Sequence, residues 1–131
     1  MSADGAEADR AIEVGGFETL QISFSVLEQG PARIVADATR HGLGVIAKQP
    51  LANGIPGMTE RPGHSDWARK WDLAQELDWA AMGTEPRLDL ALRFVLEAPG
   101  VASAIVGTAR FEHLERNTRV ASSPQLARAR S

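Results

Sequence analysis

Short apolar segments alternate with amphipathic helical segments along this chain, and this alternation limits the folds that it can adopt. Residues 43–48, LGVIAK, form a short continuous apolar run, which is typical of a strand buried on both faces. Residues 19–27 and 102–107 also have strand patterns, and helical patterns separate the three segments. Buried strands that alternate with helices predict parallel βα units and therefore an α/β fold.

The helical segments are bounded by glycine and proline. Helices are predicted up to Gly15, over residues 31–41, from Ser65 to about Met82, after Thr84 and over residues 111–120. Residues 49–64 contain three prolines and three glycines, so a long irregular loop is predicted between the second strand and the next helix. Trp67 and Trp71 lie four residues apart on the helix that follows, and core packing is their expected role.

Composition excludes several functional classes. The formal net charge of −3 argues against nucleic acid as a partner, and the lack of cysteine excludes disulfides, thiolate metal ligands and a cysteine nucleophile. The acidic residues 1–10 are expected to be a flexible terminus without a signal peptide, and residues 122–131 a flexible tail. No apolar run approaches the roughly 20 residues of a membrane helix, so a cytoplasmic protein without a membrane partner is expected.

In parallel βα folds, ligands bind beyond the carboxyl ends of the strands. Gly107, Thr108 and Arg110 follow the third strand and precede a helix, where free backbone amides, a hydroxyl and a guanidinium favour an anion. The alternative is a plain capped turn with an exposed arginine. Residues 47–54, AKQPLANG, open the long loop, which is either a ligand lid or a surface insertion.

The histidines indicate neither a metal site nor a hydrolase. His41, His64 and His113 lie far apart in the sequence and lack the helical spacing of metal ligands. His64, Ser65 and Asp66 carry the residue types of a hydrolase triad, but three adjacent residues cannot stack into that relay. Ser65 is better interpreted as a helix N-cap.

Four segments read FETLQISFSVLE, GLGVIAKQPLANG, LALRFVLEAPGVASAIVGT and EHLERN. In this order and spacing they together resemble the C-terminal half of an NADP(H)-dependent aldo-keto reductase. The resemblance extends over residues 11–121. It implies a partial (β/α)8 TIM barrel, with the three strands as the sixth, seventh and eighth of the barrel.

The resemblance also implies positions that bind the nicotinamide dinucleotide. Gln21 corresponds to a contact of the nicotinamide amide, and Lys48 to a side chain against the nicotinamide face. The pyrophosphate would pass Gln49, Pro50 and Leu51. The 2′-phosphate and adenine end of NADPH would meet Gly107, Thr108, Arg110, His113, Arg116 and Asn117.

The differences from the family concern charge and catalysis. Relatives often have arginine directly after the Gly-Thr pair, whereas here Ala109 intervenes, and Arg116 replaces a glutamate that contacts adenine. The catalytic Asp, Tyr, Lys and His of the family come from earlier strands, and this chain contains no tyrosine. A reductase part without activity of its own is therefore expected. The alternative is a non-catalytic module that pairs with a complementary half-barrel or forms a homo-oligomer.

Overall fold

Three parallel strands form one open sheet in the computed structural model, which describes residues 1–123. The strands lie in chain order, as β1 (Thr19–Ser23), β2 (Gly44–Lys48) and β3 (Val101–Ile105). The prediction of three parallel strands in an α/β fold is confirmed. The helices are α1 (Gly5–Val14), α2 (Ala32–Arg40), α3 (Ser65–Glu76), α4 (Trp79–Met82), α5 (Arg87–Glu97) and α6 (Phe111–Ala121). Within the described residues, none of them is long and apolar enough to cross a lipid bilayer.

The main core lies between one face of the sheet and the helices. Alternate residues of a strand point to opposite faces, and the buried members of β1 and β2 point towards α2 and α5. They are fully shielded from solvent, and this burial of apolar surface stabilises the sheet. The core comprises Leu20, Ile22, Val45, Ala47 and Val101 from the strands and Ile34, Val35, Ala38 and Val95 from the helices.

The opposite face of the sheet is more open, and it carries the polar strand residues. Ser23 pairs with Lys48 and Lys48 pairs with Ile105 across the parallel ladder, so these three side chains share this face at its carboxyl edge. Gln21 pairs with Ile46 on the same face, two residues before the carboxyl edge of the sheet. The register therefore brings the ends of all three strands, and the loops that follow them, to one edge.

The N-terminal residues differ from the flexible terminus expected for residues 1–10. Ser2 forms a parallel bridge with Gln21, the Gln21 amide donates to the Met1 carbonyl at 2.8 Å, and α1 begins at Gly5. Ala8 and Ile12 of α1 are buried in the main core. The segment before α1 is too short to show a period in the sequence, and the Met1 ammonium donates to the carbonyl of Thr19, which lies 18 residues away in the chain. Of the tail predicted for residues 122–131, residues 124–131 lie outside the described residues.

The first predicted strand is shorter than its apolar pattern. The pattern extends to residue 27, but β1 ends at Ser23. The Ser25 hydroxyl accepts hydrogen bonds from the amides of Leu27 and Glu28, at 3.2 and 3.1 Å, and this local turn replaces the ladder. A side chain that competes for backbone donors therefore ends the strand within an apolar run.

The helix predicted from Ser65 to about Met82 is two helices. Leu77 has an extended backbone, and the Asp78 carboxylate accepts the Ala81 amide at 3.1 Å, which caps α4. The N-cap of α3 is His64 rather than Ser65, and it makes no side-chain cap bond. The predicted core role of Trp67 is also wrong, since its side chain is exposed and lies edge-on to His64.

Candidate functional site

The carboxyl edge of the sheet carries the residues that the sequence singled out. Lys48 is the last residue of β2, and its ladder partner Ile105 is the last residue of β3. Gly107 follows Ile105 by two residues, so the turn before α6 leaves the sheet beside Lys48. Gln21, in the middle of β1, lies on the same face as Lys48 but deeper in the sheet.

Lys48 is held by two residues of the N-terminal segment. Its ammonium lies 3.0 Å from Asp4 Oδ2 and donates to Ser2 Oγ at 3.1 Å. Asp4 Oδ1 accepts the Ser23 amide at 2.7 Å. The carboxylate thus joins the N-terminal segment to the ends of β1 and β2.

These contacts change the acidity of Asp4. Partial burial raises the pKa of the carboxyl, but the hydrogen bond from the Ser23 amide and the ammonium of Lys48 together outweigh it. The net pKa of Asp4 lies below the ordinary value of 3.8. The carboxylate is therefore ionised at neutral pH and forms a charged pair with Lys48.

The loop after β2 begins with an unusual backbone conformation. Gln49 has a φ of 53°, and the other non-glycine residues with positive φ within residues 1–123 are Ala52 and Asn53 in the same loop. Pro50 is buried, whereas Gln49 is exposed. Leu51 packs on the second apolar cluster, which includes Val26, Ala74, Trp79, Leu90 and Ala91. The loop is therefore fixed by packing, although its dihedrals are costly.

The turn after β3 is open to solvent. Gly107, Thr108 and Arg110 are all exposed, and a Cβ atom placed on Gly107 would meet no atom within 4 Å. Thr108 Oγ1 accepts the Arg110 amide at 3.2 Å, which fixes the turn, and Arg110 is the N-cap residue of α6. The guanidinium of Arg110 lies 3.9 Å from Glu112, and both side chains are exposed. The turn offers free space, a cation and the first amides of a helix.

Arg116 lies apart from the turn, further along α6. Its Nε is 3.4 Å from Asp89 Oδ1 on α5. Arg116 also borders a groove of about 490 Å³ that lies between the long loop, α3 and the start of α5. The apolar walls of the groove include Pro56, Met58, Trp71 and Leu88. His113 and Asn117 are half-buried on the same helix.

The structure thus divides the predicted residues into four places. Lys48 and Gln21 lie on the sheet face, and the Gly107–Arg110 turn lies at its carboxyl edge. Residues 49–51 lie in the loop after β2, and Arg116 lies at the groove. Sequence reasoning missed Ser2, Asp4 and Asp89. A carboxylate directly before a helix was the available signal for Asp4, but that pattern indicates an N-cap, and Asp4 makes no cap bond in this structure.

The chain belongs to the aldo/keto reductase family, because the model of that family matches residues 6–129. A curated relative is an uncharacterized oxidoreductase, YqkF, of Bacillus subtilis strain 168. It is 27% identical over 120 residues, which cover 82% of this chain and 39% of the relative. The chain therefore spans well under half the length of this relative.

Solved structures support the fold assignment. The holo form of the aldo-keto reductase AKR11C1 from Bacillus halodurans matches with a TM-score of 0.70 and 18% identity, over 92% of this chain and 43% of that chain. Its apo form matches with a TM-score of 0.72 and 17% identity, over 96% of this chain and 47% of that chain. At these identities the likeness concerns the fold, and it confirms the predicted partial TIM barrel.

Proposed function

We propose that this chain is the NADPH-binding part of an aldo-keto reductase, with the 2′-phosphate at the Gly107–Arg110 turn. The observation that carries the proposal is the open turn beside Lys48 at the carboxyl edge of the sheet. Parallel βα folds bind their ligands at this edge. Membership of a family whose members generally use a nicotinamide cofactor gives the ligand class.

The chemistry of the turn suits a phosphate dianion. The first amides of a helix have no partner within the helix, and the helix dipole favours a negative charge at that end. Arg110 adds a solvent-exposed guanidinium, whose nearest carboxylate lies 3.9 Å away, so a phosphate could replace that weak pair. The free space at Gly107 lets a ligand approach the backbone closely.

The rest of the cofactor would extend in two directions from the turn. The nicotinamide would lie near Gln21 and Lys48, and the pyrophosphate would pass the backbone of the loop from Gln49 to Leu51. The groove beside Arg116, with a volume of about 490 Å³ and walls that include Trp71 and Leu88, would take the adenine ring. His113 and Asn117 would contact this end of the cofactor.

In such a complex the chain binds and orients the cofactor rather than carrying out proton transfer. The bound cofactor supplies a hydride for the reduction of an aldehyde or ketone. Gln21 would hold the carboxamide through its side-chain amide, and Lys48 would fix one face of the ring. The strands keep these two side chains at a constant separation, which is the contribution of a rigid scaffold to orientation.

Binding of NADPH and NADH to the 131-residue chain tests the proposal. The wild-type chain is expected to prefer NADPH, and Arg110→Ala is expected to lower NADPH affinity about tenfold with little change for NADH. Thr108→Ala is expected to act in the same direction, since it releases the turn. Arg40→Ala, at an exposed arginine paired with Asp37 on α2, is the matched control. Equal affinity of the wild-type chain for both cofactors would remove the 2′-phosphate assignment.

A second candidate function is assembly with a complementary half-barrel. The outer edge of β3 has no strand partner among the residues described. Ile105 at the end of β3, and Phe111 and Leu114 on the helix that follows it, are apolar side chains that are 49%, 69% and 51% exposed. An open strand edge beside exposed apolar side chains favours pairing with a further strand. The partner that we propose is a strand from the other part of the barrel, the part of its relatives to which this chain has no counterpart.

Sedimentation tests this assembly. The chain is mixed with the separately expressed region of the Bacillus halodurans reductase that lies outside the match. A complex that Phe111→Ser weakens is expected, because a hydroxyl replaces an exposed apolar side chain at the proposed contact. Two components that sediment independently, or a chain that associates only with itself, would contradict pairing with a half-barrel.

A further inference from the structure

Asp4 connects the carboxyl ends of three neighbouring segments. One carboxylate oxygen accepts the Ser23 amide at 2.7 Å, at the end of β1. The other lies 3.0 Å from the Lys48 ammonium, at the end of β2. Asp4 itself directly follows the segment that pairs with β1 through Ser2. The carboxylate is thus fixed at both oxygens, unlike a surface ion pair between two mobile side chains.

The pair places two opposite charges at one point of the sheet edge. The Lys48 side chain is about one quarter exposed, and Ser2 Oγ accepts a second of its three ammonium protons at 3.1 Å. Removal of the Asp4 charge would leave a positive charge at this point, and Ser2 could not neutralise it. The charge at the edge therefore depends on Asp4 as much as on Lys48.

We propose that Asp4 sets the preference of this site for the oxidised or reduced cofactor by neutralising Lys48. The inference rests on the proposed function, which places the nicotinamide ring beside Lys48. The ring of NADP⁺ carries a positive charge and the ring of NADPH is neutral, whereas the rest of the molecule is the same. An unpaired ammonium repels only the oxidised ring, and the Asp4 carboxylate cancels that repulsion.

Equilibrium titration of NADP⁺ and NADPH against the 131-residue chain and Asp4→Asn measures this effect. Asparagine retains an acceptor for the Ser23 amide, so the substitution removes the charge and keeps that hydrogen bond. NADP⁺ affinity is expected to fall about three- to tenfold relative to NADPH, the size expected for one uncompensated charge near the ring in a high dielectric. Lys48→Met removes the ammonium and leaves the Asp4 carboxylate without its counterion. This variant is expected to shift the ratio of NADP⁺ to NADPH affinity in the opposite direction.

Two further variants separate electrostatics from structure. Asp9→Asn makes the same change at a carboxylate of α1 that pairs with Arg33, away from the sheet edge, and it is expected to leave the affinity ratio unchanged. The double variant Asp4→Asn/Lys48→Met removes both charges and is expected to restore the wild-type ratio. Circular dichroism of each variant verifies that the chain is folded.

The failures of the two proposals are distinguishable. If the wild-type chain binds neither cofactor, the proposed function is overturned, and this inference with it. If the wild-type chain binds both cofactors and Asp4→Asn changes both affinities equally, the role of Asp4 alone is overturned. The same conclusion follows if Lys48→Met and Asp4→Asn shift the ratio in the same direction.

Discussion

Arg116 Nε lies 3.4 Å from Asp89 Oδ1, and this contact joins α6 to α5. Both atoms are shielded from solvent, and neither has a hydrogen-bond partner among the described residues. They line a cavity of about 200 Å³ together with Ser123, whose buried hydroxyl also has no hydrogen-bond partner among the described residues. The last helix therefore contacts α5 through a charge pair, and α6 itself has no fully buried residue.

We expect Asp89→Ala to lower the free energy of unfolding by about 1–3 kcal/mol, because it leaves the half-buried guanidinium of Arg116 without its counterion. The side chains of Arg116 and Asp89 are only 26% and 21% exposed, so solvent compensates incompletely. Urea denaturation measures the change. Glu112→Ala removes an exposed carboxylate of α6 and is the control, with an expected change within about 0.5 kcal/mol. Equal effects of the two substitutions would contradict a structural role of the pair.

The stability contributed by Asp4 is expected to depend on pH. Burial raises the pKa of Asp4, but the Ser23 amide and the Lys48 ammonium together lower this pKa by more than burial raises it. The folded-state pKa therefore lies below the ordinary value of 3.8. A carboxyl with a depressed folded-state pKa stabilises the fold above its unfolded-state pKa, and this contribution is lost as the pH falls through the folded-state value. The difference in unfolding free energy between wild type and Asp4→Asn should therefore be full at pH 6 and shrink below about pH 4. A difference that is constant over this range would contradict the assignment.

The pattern of the strands could be predicted because it is local. The apolar run at residues 43–48 matches β2 (Gly44–Lys48) within one residue, and the parallel arrangement followed from its burial on both faces. The break between α3 and α4 could not be predicted in this way, because neither Leu77 nor Asp78 is a helix breaker of the strength of glycine or proline. The hydrogen bond from the Ala81 amide to the Asp78 carboxylate stabilises a new helix start, in competition with continuation of α3. Helix propensities alone do not show which of the two conformations is more stable.

The site could be predicted only where it is contiguous in the sequence. Gly107, Thr108 and Arg110 form one turn, and the sequence placed that turn at a strand end. The contacts of Lys48 with Asp4 and of Arg116 with Asp89 join residues that are far apart in the chain, and periodicity carries no information about such pairs. The binding roles of the cofactor residues remain predictions that the titrations above test.

We expect no carbonyl reductase activity from this chain alone. The proton donor of the family is a tyrosine, and the sequence contains none. Reduction of a carbonyl needs a proton as well as a hydride, and a chain that only orients the cofactor supplies no acid. General acid catalysis typically accelerates such a reaction by about 10²–10⁴-fold. Consumption of NADPH with an aromatic aldehyde, followed by the ultraviolet absorbance of the reduced cofactor, measures activity. Turnover above a buffer control that persists after repurification would contradict the expectation.

Two glycines of the last βα unit allow the fold and the proposed phosphate site to be tested separately. A Cβ on Gly100, which has a φ of +90°, would lie 2.5 Å from Thr39 Oγ1 and 3.1 Å from Val35 Cγ1. Gly100→Ala combines backbone strain with overpacking against α2 and should lower the free energy of unfolding by about 2–4 kcal/mol.

A Cβ on Gly107 would meet nothing within 4 Å, so Gly107→Ala should change the free energy of unfolding by less than about 0.5 kcal/mol. The same substitution should nevertheless weaken NADPH binding, because the added methyl group occupies the space through which the phosphate reaches the backbone. Unchanged NADPH affinity in a stable Gly107→Ala chain would mean that the phosphate binds elsewhere.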